Sequence, residues 1–235
     1  MLPALYNDSL RYVHVSIMGE AMGRYRGLSQ DYLESLAAQG DSGAMGVLGA
    51  MAELEAFGES PGGAVGMLTL EDMPHYTWYP RQPLDDSVRE HLQSAADWYY
   101  AAALHGRLLA LSKVGEMRGY LEGGAVGLGW ISKEDLDALT MRERDAMLPA
   151  DVFQRLAFII APNLGEGPIG ELFAGVAFES PLQQPILESL QEEFEADRVA
   201  AGLPPIVVPS SDAPPVKELL DLVCESYLPD GKVSD

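Results

Sequence analysis

The sequence predicts an all-α protein, with stacked antiparallel helical hairpins and inserted loops. Three observations predict it. Apolar residues recur at helical spacing between helix-capping signals, and no segment sustains the two-residue alternation of a strand. Two stretches also repeat one another without gaps at a constant offset of 66 residues. Tyr32 to Met51 aligns with Trp98 to Met117, so that Gly40 matches Gly106, Ala44 matches Ala110 and Gly49 matches Gly115. Self-similarity at a fixed period is the signature of a repeat architecture.

Each unit reads as a helix, a glycine break and a second helix. Leu33, Leu36 and Ala37 in the first unit, and Trp98, Tyr99, Ala102 and Ala103 in the second, share one helical face. Gly40 and Gly106 end these helices, because glycine accepts the left-handed conformation that closes a helix. A second helix then starts within a residue or two, with Asp41 or Ser42 placed to cap it in the first unit. Leu111, Val114, Met117 and Leu121 form the matching apolar ladder of the second unit, while the small residues Ala44, Gly49, Ala110 and Gly115 allow close helix contact. Glycine-rich turns follow each unit, Gly62 to Gly66 and Gly123 to Gly127.

Further helices are marked by their ends. Ser87 with Glu90, Thr140 with Glu143 and, more weakly, Ser132 with Asp135 have capping-box spacing. Ser180 followed by Pro181 predicts another start. Helices are therefore expected to begin near 88, 133, 141 and 181. One more spans about 150–161 between Pro149 and Pro162, and the helix from the 180s runs to Ala201, stopped by Gly202 and Pro204. A helical domain over 1–203 is expected, with clear units at about 32–66 and 95–127. A Pro-rich connector over 204–215 and a last helix and polar tail over 216–235 complete the chain.

The segment SAADWYYAAALHGRLLALSKVGEMRGYLEGGAV, residues 94–126, resembles the Sel-like (tetratricopeptide-type) repeat. Ala95, Trp98, Tyr99, Ala102, Ala103, Gly106, Ala110, Gly115, Gly123 and Gly124 carry the pattern, with Val114 where leucine is commoner. The first unit has Leu33 where an aromatic is usual, and Gly167 to Gly175 hints at a third. The resemblance covers about half the chain. It implies a solenoid of paired helices acting as an adaptor; many bacterial members face the envelope or a host. Residues 66–86 and 128–150 are insertions that a plain array would lack.

Composition narrows the function. With 36 Asp and Glu against 15 Lys and Arg, the net charge of −21 repels nucleic-acid phosphates and anionic lipid, and favours a basic protein or peptide partner. The single cysteine, Cys224, excludes an intrachain disulfide and a cysteine-built metal cage. His14, His75, His91 and His105 share no ligand spacing, so no metal or cofactor is expected. The glycine-rich turns lack the Gly-Lys-Ser/Thr of a phosphate loop. No apolar run is long enough to span a bilayer, and the N-terminus lacks the pattern of a secretory signal. Both a cytoplasmic and a mature periplasmic or secreted location fit.

The most suggestive segment lies between Met73 and Arg81. His75, Tyr76, Trp78, Tyr79 and Arg81 are of the types enriched at binding hot spots, held between Pro74 and Pro80. The same rings could instead plug the gap between hairpins. The expected function is a non-enzymatic interaction scaffold, binding through a groove or this loop, with no catalytic residue. Two alternatives remain: an envelope or secreted enzyme using carboxylates such as Glu116, Glu122 or Glu166, and an inhibitor or immunity-type protein masking a basic partner.

Overall fold

The computed structural model describes residues 23–57, 84–161 and 180–206. Among these residues there are nine α-helices, one 3-10 turn and no strand. The helices are α1 (Gln30–Ala38), α2 (Ser42–Phe57), α3 (Asp86–Leu104), α4 (Ala110–Glu122), α5 (Gly124–Gly127), α6 (Lys133–Ala138), α7 (Met141–Ala146), α8 (Pro149–Ile160) and α9 (Gln184–Ala200).

The predicted glycine stops are structural. Gly40 and Gly106 sit at φ 88° and 99°. At the end of α1, the Gly40 amide donates to the Ala37 carbonyl at 2.8 Å, and the Asp41 amide to Leu36 at 3.1 Å. At the end of α3, Gly106 donates to Ala103 and Arg107 to Ala102, both at 2.9 Å. This is the Schellman closure, which satisfies the last carbonyls of a helix while turning the chain. Gly129 and Gly202 close α5 and α9 in the same way, with Trp130 donating to Ala125 and Leu203 to Arg198.

The starts agree less uniformly. Ser29, Ser132 and Thr140 cap α1, α6 and α7 through their side chains, and Thr140 forms the reciprocal box with Glu143. Asp41, not Ser42, caps α2: its Oδ1 accepts from the Gly43 and Ala44 amides at 3.0 and 3.1 Å. Arg107, at the equivalent place in the second unit, has no acceptor to offer. There the chain instead makes successive tight turns, Ala110 donating to Arg107 and Leu111 to Leu108, before α4 begins. Ser87 is not a cap: α3 starts at Asp86, because the extended backbone falls at Asp85 (φ −62°, ψ 148°). Ser180 caps a 3-10 turn, Pro181–Gln183, which then continues into α9. Pro149 opens α8 at its first turn, where a missing N–H costs nothing.

Each long helix packs mainly on its neighbour in the chain: α1 on α2, α2 on α3, α3 on α4, α4 on α8 and α8 on α9. Leu92, Tyr99, Leu111, Val114, Met117, Phe153, Leu156 and Phe194 are the large buried members of one continuous core. The repeat-matched glycines have matched duties. A Cβ on Gly49 would lie 2.8 Å from the Tyr99 ring, so α2 admits α3 there. A Cβ on Gly115 would lie 2.3 Å from the Pro149 carbonyl oxygen, so α4 admits the start of α8. In the insertion at 128–150 the short helices bury little, α6 nothing and α7 only Ala146, but the residues around them add Met147, Ala150 and the core-packed Trp130.

Gly115→Ala should cost about 1–3 kcal/mol, because the added methyl meets backbone rather than a movable side chain. Urea denaturation checks this, and wild-type stability in the variant would contradict the close approach.

Candidate functional site

The most concentrated chemistry lies inside the core, where α2, α3 and α4 meet. Lys113 of α4 donates from Nζ to Glu53 Oε1 of α2 at 2.7 Å and to Glu116 Oε2, one turn on, at 2.5 Å. The Tyr99 hydroxyl of α3 donates to Glu53 Oε2 at 2.6 Å. The side chains of Glu53, Lys113 and Glu116 are 3%, 4% and 10% exposed, which removes them from solvent. Burial alone would lower the Lys113 pKa, but the two carboxylates outweigh it and hold the ammonium charged. Burial raises Glu116, and Glu53 adds to this against the pull of Lys113. Burial and the Glu53 carboxylate push the Tyr99 phenol well up, so it stays a donor.

This arrangement ties three helices together. A buried ion pair adds little net stability over apolar packing, because desolvation offsets the attraction, but removing one partner strands a charge. Its chemical use as a catalytic pair is limited by the same burial.

A second set of polar groups belongs to α7 and α8. Asp145 Oδ1, Asp151 Oδ1 and Gln154 Oε1 are buried and have no hydrogen-bond partner among the described residues. Burial, and then the nearby Asp145, push the Asp151 carboxyl well above its ordinary range. Among the described residues no three His, Cys, Asp or Glu side chains come together as a metal-ligand set. No described helix is long and apolar enough to cross a membrane.

On the outside of α3, a shallow, open groove of about 560 Å³ is bordered, among the described residues, by one face of that helix: Glu90, Gln93, Ser94, Asp97, Trp98 and Ala101. Trp98, half-buried, packs its inner side on the core. Glu90, Gln93 and Asp97 are exposed, and Gln93 Nε2 donates to Asp97 Oδ1 at 2.8 Å.

Of the residues singled out in the sequence, Gly40, Ala44, Gly49, Tyr99, Gly106, Ala110 and Gly115 belong to turns or helix contacts, and Trp98 to the groove. His75, Tyr76, Trp78, Tyr79 and Arg81 lie outside the described residues, as do Glu166 and the expected third unit and last helix. Glu116 joins the buried cluster, whereas Glu122 is exposed at the end of α4. The sequence reading missed Glu53 and Lys113. A signal existed for Lys113, the lone charge within the apolar stretch Leu108 to Val114; Glu53 shares its stretch, Ala50 to Phe57, with Glu55 and gave no such signal.

Compared with protein-family models, curated proteins and solved structures, the chain matches none.

Two outcomes test the electrostatics. Lys113→Met should cost about 3–5 kcal/mol in urea unfolding, since it leaves two buried carboxylates facing each other. Replacing Glu53 and Glu116 by Gln in the same chain should recover part of that loss. For Asp151 the folded state holds its proton more tightly than the unfolded chain. Its contribution is therefore full in acid and lost as pH rises through the raised pKa. Asp151→Asn should raise the Tm at about pH 8, with the gain vanishing near pH 4. A pH-independent gain would show that the carboxyl is not so displaced.

Proposed function

We propose that this chain is a non-enzymatic protein-interaction scaffold whose hairpins stack as Sel-like, tetratricopeptide-type repeats. The observation that supports the reading is that glycines matched across the two stretches do matching jobs. Gly40 and Gly106 close their helices by the same pair of hydrogen bonds, and Gly49 and Gly115 each admit the next helix. Repeat proteins extend a binding surface by stacking like units on their chain neighbours, and the reading takes these two hairpins as such units.

The chemistry favours binding over catalysis. Glu53 and Glu116 converge as an enzyme's carboxylates would, but they are spent on Lys113 and shut away from water. What faces outward is acidic and includes a half-exposed indole. Aromatic anchors beside charged rims are the usual composition of a protein-binding patch. The reading takes a basic protein or peptide as partner, captured through the α3 groove or the 73–81 segment.

Immobilised full-length chain is expected to retain a defined protein from source-cell lysate, releasing it as salt is raised. Trp98→Ala, or the pair Trp78→Ala and Tyr79→Ala, should abolish that band while leaving circular dichroism unchanged. Retention of nothing beyond what an unrelated protein of equal acidity holds would sink the scaffold reading.

A further inference from the structure

The corner between α7 and α8 holds an imbalance that its own side chains do not correct. An ionised carboxylate and an amide oxygen only accept hydrogen bonds. Asp145 Oδ1, Asp151 Oδ1 and Gln154 Oε1 are all buried, and no described residue donates to any of them. Gln154 is 5% exposed and Asp151 9%, whereas Asp145 is half-buried and leaves one side open to solvent.

The chain brings these three residues to one corner. Asp151 and Gln154 are three residues apart in α8 and share one face of it. Between Asp145 and Asp151 the backbone makes two successive tight turns. The Leu148 amide donates to the Asp145 carbonyl at 3.1 Å, and the Asp151 amide to the Leu148 carbonyl at 3.0 Å. Asp145 is thereby folded back toward the start of α8, where its charge acts on Asp151. Gln183 of the 3-10 turn pins the same corner, its Nε2 donating to the Ala146 carbonyl. The neighbouring guanidinium groups point elsewhere: Arg144 donates to the Asp137 and Leu139 carbonyls, and Arg155 to Gln183 Oε1. Neither carboxylate is in an ion pair with a described residue.

Buried acceptors and buried charge both require a positive partner. A proton on Asp151 serves at most one of the other two oxygens. A water molecule has two protons for three acceptors and leaves the charge unanswered. A cation answers all three. The donor set is oxygen alone, without histidine or cysteine, which suits a hard ion rather than zinc or copper. Two carboxylates match a double charge. Magnesium demands a near-ideal octahedron, whereas calcium accepts irregular shells of roughly six to eight oxygens such as a turn and a helix face provide.

We propose that Asp145, Asp151 and Gln154 bind one calcium ion through their side-chain oxygens, with water on the open Asp145 side completing the shell. The ion ties the end of α7 to the first turns of α8. This inference goes beyond the scaffold reading and does not depend on it.

The test uses the full-length chain, stripped with EGTA, in about 0.15 M KCl to screen diffuse attraction to the −21 net charge. A site with three protein ligands is expected to hold calcium with a Kd of about 10⁻⁴–10⁻³ M. Thermal unfolding followed by circular dichroism should then show a Tm about 3–5 °C higher in about 10 mM calcium chloride, and a smaller rise in magnesium chloride. Asp145→Asn with Asp151→Asn removes uncompensated buried charge, so that variant folds, and its Tm should no longer respond to calcium. Gln154→Met keeps the charge and removes one oxygen, and should weaken calcium binding about tenfold by isothermal calorimetry. Asp31→Asn with Glu34→Gln on the exposed side of α1, which packs on α2, removes the same charge elsewhere and should leave the response unchanged. Equal loss in the α1 variant would reduce the effect to counter-ion attraction and overturn the proposal. So would an undiminished calcium response in either site variant, or magnesium matching calcium. A wild-type Tm that follows pH but ignores calcium would show the corner balanced by a proton, and overturns it as well.

Discussion

Lys113 can reach Glu53, Glu116 and the neighbourhood of Tyr99 only while α2, α3 and α4 keep one relative register. A shift of one turn along either helix pair moves a side chain by about 5.4 Å, far beyond a hydrogen bond. Apolar surfaces tolerate sliding, because their attraction is non-directional. The ammonium and its acceptors do not. Among the described residues this is the set of contacts that selects one alignment of the first unit on the second.

The close approaches at Gly49 and Gly115 make that register reachable. Without a side chain at Gly49, the Tyr99 ring sits near enough to α2 for its hydroxyl to meet Glu53. Gly115 lies two residues beyond Lys113 on α4 and seats the start of α8. The core thus alternates directional and non-directional contacts along the chain. At its far end the pattern changes. Tyr100 donates to Asp197 at 2.8 Å and meets Phe194 edge-on at 5.9 Å, while Arg198 donates to the Leu104 and Pro204 carbonyls. These contacts bring the end of α9 back to the end of α3.

Local grammar was legible in the sequence, and long-range pairing was not. Ser132, Thr140, Gly40, Gly106 and Gly202 act through hydrogen bonds within five residues, so the chain's own order encodes them. The start of α3 was misplaced because Ser87 and Asp85 both suit a cap, and only the backbone at Asp85 decides between them. Glu53 and Lys113 are 60 residues apart, and nothing local says that these two charges will meet. The groove escaped for a related reason: Trp98 fits the repeat pattern as a packing residue, and its outward half shows only once α3 is rotated into place.

The succession of contacts between chain neighbours also bears on how the molecule is assembled. Each glycine-closed hairpin involves short loops, the low-contact-order regime in which closure is cheap and fast. The Glu53–Lys113 bond is of another kind, since joining points 60 residues apart carries a closure cost of about 3.6 kcal/mol by the logarithmic rule. Its reward comes only after the intervening helices exist. The buried cluster therefore ties together two hairpins that short-range closure alone would leave unaligned.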